Sequence, residues 1–77
     1  MVRLYVGAGR DSGIRPGDLV GAIANEAKIS AGVIGAIEIE DRFSIVDVPV
    51  EMAKGILEAL SRTRIKGQKV PVRVFKD

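Results

Sequence analysis

Hydrophobic and polar residues alternate or recur along most of this chain, and the period switches several times. Val2, Leu4 and Val6 fall on one side of an alternating run, with Arg3 and Tyr5 on the other, which predicts a first strand over 2–6. A glycine-rich stretch, Gly7-Ala8-Gly9-Arg10-Asp11-Ser12-Gly13, breaks the pattern and reads as a flexible loop. Leu19, Val20, Ile23, Ala24 and Ala27 then recur at helical spacing behind Pro16 and Asp18, two residues that favour a helix N-terminus. The predicted helix runs from Pro16 to Ala27, with Gly21 marking a close approach of helix to sheet. Lys28–Gly35 is a connector in which Ser30 can cap a single turn.

Ile37 and Ile39 alternate with Ala36, Glu38 and Glu40 in a second strand, and Asp41-Arg42 turns the chain. Phe43–Val48 alternates again, and so short a link predicts an antiparallel pair. Pro49 opens a second helix to about Arg62, with Met52, Ala53, Ile56, Leu57 and Leu60 repeating the stripe of the first. Lys66-Gly67-Gln68-Lys69 is a turn. Val70, Val72 and Val74 alternate through a last strand, which Pro71 assigns to a sheet edge. The order is βαββαβ. Right-handed crossovers and one-sided helices make this an α+β, ferredoxin-like fold: a four-stranded antiparallel sheet in strand order 4-1-3-2, with two helices on one face. The other face stays open.

Composition limits what that face can do. The 77 residues allow one domain spanning 1–77, and with no His and no Cys the chain has no disulfide, redox or zinc chemistry. No metal and no cofactor is expected. Gly7-Ala8-Gly9 lies between strand and helix, but G-x-G-x-x-x-G is not the dinucleotide fingerprint and no G-K-[ST] follows. The remaining Asp, Glu, Lys, Tyr and Ser form no evident acid–base cluster, so catalysis by this chain alone is not expected. Met1-Val2-Arg3-Leu4-Tyr5-Val6 reads as a strand, not a secretion signal, and the apolar runs are far shorter than the roughly 20 residues that span a bilayer. The expectation is a cytoplasmic protein with no membrane partner.

The net charge is only +2, but from Arg62 to Asp77 six basic residues (Arg62, Arg64, Lys66, Lys69, Arg73 and Lys76) face one acid. A basic quarter on a near-neutral body suggests a patch for a polyanion, the plainer alternative being a solvated basic tail. Strand parity sends Arg3, Tyr5, Phe43, Ile45, Asp47, Arg73 and Phe75 to the open face, together with Glu38 and Glu40. All three aromatics of the chain are in that set. Aromatics exposed on a sheet are platforms for nucleic-acid bases; alternatively Tyr5 and Phe43 pack on each other across neighbouring strands and Phe75 is covered.

Leu4-Tyr5-Val6 and Asp41-Arg42-Phe43-Ser44-Ile45-Val46-Asp47-Val48 stand where RNA-recognition motifs carry their strand-1 and strand-3 signatures. Further pieces follow in order: the glycine loop leading to Ile14-Arg15-Pro16-Gly17-Asp18-Leu19-Val20-Gly21-Ala22-Ile23, then Ile34-Gly35-Ala36-Ile37-Glu38-Ile39, then Phe43–Pro49, then Ile65-Lys66-Gly67-Gln68-Lys69-Val70. Over essentially its whole length the chain resembles the C-terminal RNA-binding domain of bacterial DEAD-box RNA helicases, the DbpA-like group. The resemblance implies a module that binds structured RNA, in some members ribosomal RNA, and targets an ATP-driven helicase core in cis. The chain itself would be cut from such a longer protein.

Two departures shift the expected surface: Asp41 stands where the strand-3 signature has a basic residue, and Ile45 where it has a second aromatic. With Glu38, Glu40 and Asp47 repelling phosphate from the strand-2 side, RNA is expected toward strands 4 and 1 and the adjoining loops. The candidate residues are Arg3, Tyr5, Arg10, Arg15, Phe43, Arg62, Arg64, Lys66, Lys69 and Arg73. Two other classes remain open. Arg15-Pro16-Gly17 is similar to the turn that opens the first helix of amino-acid-binding ACT domains, which share this topology, although a small zwitterion does not need a basic quarter and no small-molecule ligand is expected. Ile45 and Phe75 could instead serve a protein-interaction module.

Overall fold

The computed structural model describes residues 1–75, so Lys76, counted in the basic quarter, lies outside the described residues, as does Asp77. The strands are β1 (Val2–Val6), β2 (Ile37–Ile39), β3 (Ser44–Val48), β4 (Arg64–Ile65), β5 (Gln68–Lys69) and β6 (Val72–Val74); the helices are α1 (Pro16–Ala27) and α2 (Val50–Ser61). β2, β3, β1 and β6 form one antiparallel sheet in that order. This is the expected 4-1-3-2 order, and β6, which follows Pro71, is an edge. No helix among the described residues is long and apolar enough to cross a membrane.

One apolar cluster joins Leu4, Val46 and Val48 of the sheet to Ile23 of α1 and to Ala53, Ile56 and Leu60 of α2. Both helices therefore lie on the inner face, where the matching stripes placed them. α1 spans the expected residues and ends on Lys28, which takes a left-handed conformation (φ 56°) and donates its N–H to Ala24 O. Pro49 and Arg62 flank α2 as caps. Gly21 does not mark a close helix–sheet approach, because a Cβ built there meets nothing within 4 Å.

A second cluster contains Val6, Ala8, Ile14, Leu19, Ile65 and Val70. It extends the core into what reads locally as loop. The segment after β1 is accordingly not a flexible turn. Ala8 and Gly9 are buried, Arg10–Ser12 forms a 3₁₀ turn, and Arg10 N–H and Asp11 N–H donate to Glu40 O and Asp41 O, both at 2.9 Å. Inside this contact Ser44, fully buried, donates its Oγ–H to Ala8 O at 2.8 Å. Ser44→Ala leaves that carbonyl without its partner in a dry environment and is expected to cost about 1–3 kcal/mol in a urea unfolding experiment. A change within the error of the measurement would mean that water reaches Ala8 O.

Lys66-Gly67 is the turn of a two-residue hairpin, with φ of 54° and 74°, and β4 pairs β5 across it. Positive φ at both positions gives the twist that joins such strands without splaying them. Gln68 Nε2–H donates to Ser12 O at 3.5 Å and Lys66 Nζ lies 3.8 Å from Asp18 Oδ2. These contacts set the hairpin against the β1–α1 loop and the first turn of α1.

Candidate nucleic-acid interface

Strand register arranges the open face in rows. Glu38, Ile45, Tyr5 and Arg73 form one row from β2 to β6. Asp47 pairs with Arg3 in the next, and Phe75 N–H donates to Arg3 O at 2.8 Å. On the other side Glu40 N–H donates to Phe43 O at 2.8 Å. The β1–β3 register, continued one step, sets Gly7 opposite Phe43. The Phe43 ring lies diagonally against Tyr5, centroids 5.5 Å apart and planes within 17°, while the Pro71 ring occupies the place a side chain at Gly7 would take.

Arg73 completes the arrangement. Its Cζ is 4.4 Å from the Tyr5 ring centroid. β6 and β3 flank β1 on opposite sides, so the guanidinium and the Phe43 ring approach Tyr5 from opposite directions. Arg73, Tyr5 and Phe43 thus form a continuous stack across three strands, held by a cation–π contact and an offset aromatic pair, each worth about 0.5–1.5 kcal/mol. Tyr5 and Phe43 do pack on each other, as the plainer alternative had it, yet the stack stays on the open face, with both rings half-buried. The outer side of Phe43 and the far side of the Arg73 guanidinium are its two ends.

The charges around the stack are unequal. Arg3 Nε lies 3.6 Å from Asp47 Oδ1, which offsets one of the three acids. Among the described residues Glu38 and Glu40 have no ion-pair partner, so the β2 side keeps its negative charge. Ile45 points to the open face but is only 5% exposed, in register between Tyr5 and Glu38. It therefore offers no apolar surface for the protein-interaction reading.

The remaining candidates gather at the loop end of the sheet. Arg64 and Lys69 are directly opposed across the hairpin, and Lys66 sits at its turn. Like charges placed opposite each other destabilise a strand pair; a polyanion bound across them reverses the sign of that interaction. Arg10 and Arg15 line a cleft with Gly13, Ile14, Pro16 and Ile39. Arg10 Nη1 is 3.5 Å from Asp41 Oδ1, an exposed pair that contributes little. At Arg15 it is the backbone N–H that binds, donating to Asp18 Oδ2 at 2.9 Å, while the residue as a whole is exposed.

Arg62 is not brought to this surface. It closes α2, where a cation complements the helix macrodipole, and lines a groove of the helix layer with Glu26 and Glu51. The Arg73–Tyr5 contact depends on the β1–β6 register, whereas strand parity alone sends both residues to the open face.

An antiparallel βαββαβ sheet whose open face carries a stacked Arg–Tyr–Phe series, with a basic hairpin at one end, defines a domain of the RNA-recognition type. The family model described as the DbpA RNA binding domain matches residues 3–74. Relatives named ATP-dependent RNA helicase DeaD align over nearly the whole chain: 35% identity over 77 residues in Buchnera aphidicola (Schizaphis graminum), 99% of this chain and 13% of the relative; 37% over 71 residues in Mycobacterium tuberculosis H37Rv, 92% and 13%; and 35% over 77 residues in Escherichia coli K12, 99% and 12%. The chain belongs to the DbpA RNA-binding domain family. It spans about an eighth of the length of the curated relatives it matches.

Proposed function

We propose that the domain binds structured RNA and serves as the targeting module of a cytoplasmic, ATP-dependent DEAD-box RNA helicase, whose catalytic core lies elsewhere in the same polypeptide. The stack of Arg73, Tyr5 and Phe43 on the open face carries the RNA reading, with family membership behind it. A π-surface of this kind accepts any base, and the neighbouring cations account for the backbone. The helicase core in cis follows from the relatives named DeaD, of which this chain matches only a short part.

Acids on the β2 side that have no ion-pair partner among the described residues, and cations on β6, the hairpin and the β1–α1 loop, support a directional placement. Phosphates run over β6, β1 and the loop end, away from Glu38 and Glu40. Arg10, Arg15, Arg64, Lys66 and Lys69 supply most of the attraction. Arg62, on the helix layer, contributes to the general field and not to this track.

A titration with hairpin, single-stranded and duplex RNA at two salt concentrations tests the proposal. If about four of these cations reach phosphates, affinity for a hairpin falls roughly 10²-fold between about 50 and 200 mM salt. The double replacement Lys66→Ala with Lys69→Ala lowers the slope of log affinity against log salt by roughly two. A salt-independent affinity would remove the phosphate track, and no RNA binding at low salt would remove the whole reading.

A further inference from the structure

The cleft between the β1–α1 loop and β2 has about 410 Å³ of space, within the range of small-ligand sites. Its apolar lining comes from Ile14, which is buried and belongs to the second core cluster, from half-buried Ile39 and from the ring of Pro16. Among the described residues Arg10 and Arg15 are the only charged ones lining it, and both are exposed. No acid among the described residues lines the cleft; Asp41 reaches Arg10 through the exposed pair already described. An apolar floor under two guanidiniums suits a flat, uncharged ring joined to an anion.

Resting on the RNA reading above, we propose that this cleft takes one unstacked nucleotide of the bound RNA. The base lies against Ile14, Pro16 and Ile39 with a guanidinium plane over it, and the second guanidinium holds an adjoining phosphate. Among the described residues no polar side chain other than the two arginines lines the cleft, so the base edge is not read and any base is accepted, purines better for their larger face. A hairpin loop is the natural source, because its nucleotides are already unstacked. Placement fits as well: the basic β4–β5 hairpin packs against the same loop through Gln68 and Ser12, so stem phosphates over Arg64, Lys66 and Lys69 bring the RNA loop to the cleft.

The test uses a fluorescein-labelled RNA hairpin with a mixed-sequence loop, and the same RNA with one abasic nucleotide at each loop position in turn. Removing the base at one position is expected to weaken binding about tenfold, while exchanging one base for another there changes little. Arg15→Ala is expected to weaken binding of the intact hairpin by a similar factor but to have less than about a twofold effect on the sensitive abasic RNA. Arg15→Lys keeps the charge without the plane and should behave like Arg15→Ala toward the base; the same comparison is made at Arg10. Equal losses on intact and abasic RNA at both positions would reduce the two arginines to phosphate contacts and overturn the proposal, as would a loop insensitive to base removal. Both outcomes leave the salt-dependent binding of wild type in place, whereas failure of every hairpin to bind wild type at low salt overturns the RNA reading itself. Both side chains are exposed, so an unchanged melting temperature confirms that the variants are folded.

Discussion

Gly9→Ala is expected to destabilise the domain by about 2–5 kcal/mol, combining the strain of forcing atoms into a packed site with the loss of up to two hydrogen bonds. A Cβ at position 9 would collide with Glu40 O and lie 2.8 Å from Phe43 N. Both obstructing atoms are backbone, so no rotamer change relieves the clash, and the β2–β3 turn must move as a unit. That turn accepts hydrogen bonds from Arg10 N–H and Asp11 N–H, and its displacement also disturbs the Ser44–Ala8 contact. For a domain of this size each kcal/mol corresponds to about 4–8 °C in Tm, so a fall of at least ~10 °C is the outcome to look for. Gly21→Ala is the control, because a Cβ there meets nothing and the position is inside α1. It should be neutral or stabilise by up to about 1 kcal/mol. If the two alanines behave alike, the loop does not pack on the β2–β3 turn as described.

The glycine loop also shows where reading the sequence stopped. Elements with a clear period were legible: α1 was placed to the residue, and β1, β2 and β3 to within one. Sheet order followed from chain chirality and from two helical stripes of matching phase, which needed no tertiary information. The second core cluster had no such signal. Ala8, Ile14 and Ile65 are single apolar residues in irregular segments, and their burial depends on a loop, a hairpin and a turn meeting in space. β4 and β5 have two residues each, too few to carry a period, so the hairpin read simply as a turn.

Parity placed the open-face residues correctly but could not say how deeply each is covered. Ile45 shares the face with Tyr5 and is nonetheless buried. The contact of Arg73 with Tyr5 requires the β1–β6 register, which a sequence does not display. The pairing of Arg3 with Asp47 likewise requires the β1–β3 register. That pairing leaves the excess of acid on the open face unchanged and concentrates it on Glu38 and Glu40.

Tyr5→Ala is expected to weaken RNA binding by about 1–3 kcal/mol, or roughly 5- to 150-fold, measured well below the melting temperature of the variant. The stack explains why the effect belongs to the assembly and not to one ring. Removing Tyr5 leaves Arg73 and Phe43 on strands separated by β1, so neither end of the stack keeps its support. Tyr5→Phe preserves the ring and should bind nearly as well as wild type. Arg73→Ala has opposing consequences: it removes one cation from the phosphate track, lowering the salt slope by about one, but it uncovers a face of Tyr5 on which a base can stack. Its loss at low salt should therefore exceed its loss at high salt, and the double variant with Tyr5→Ala, in which no ring is left to uncover, should be more impaired than the two single losses add up to. If folded Tyr5→Ala binds a hairpin as tightly as wild type, the stack only stabilises the sheet. RNA then engages the loops and the β4–β5 hairpin alone, where the opposed charges of Arg64 and Lys69 and the cleft of Arg10 and Arg15 already lie at one end of the fold.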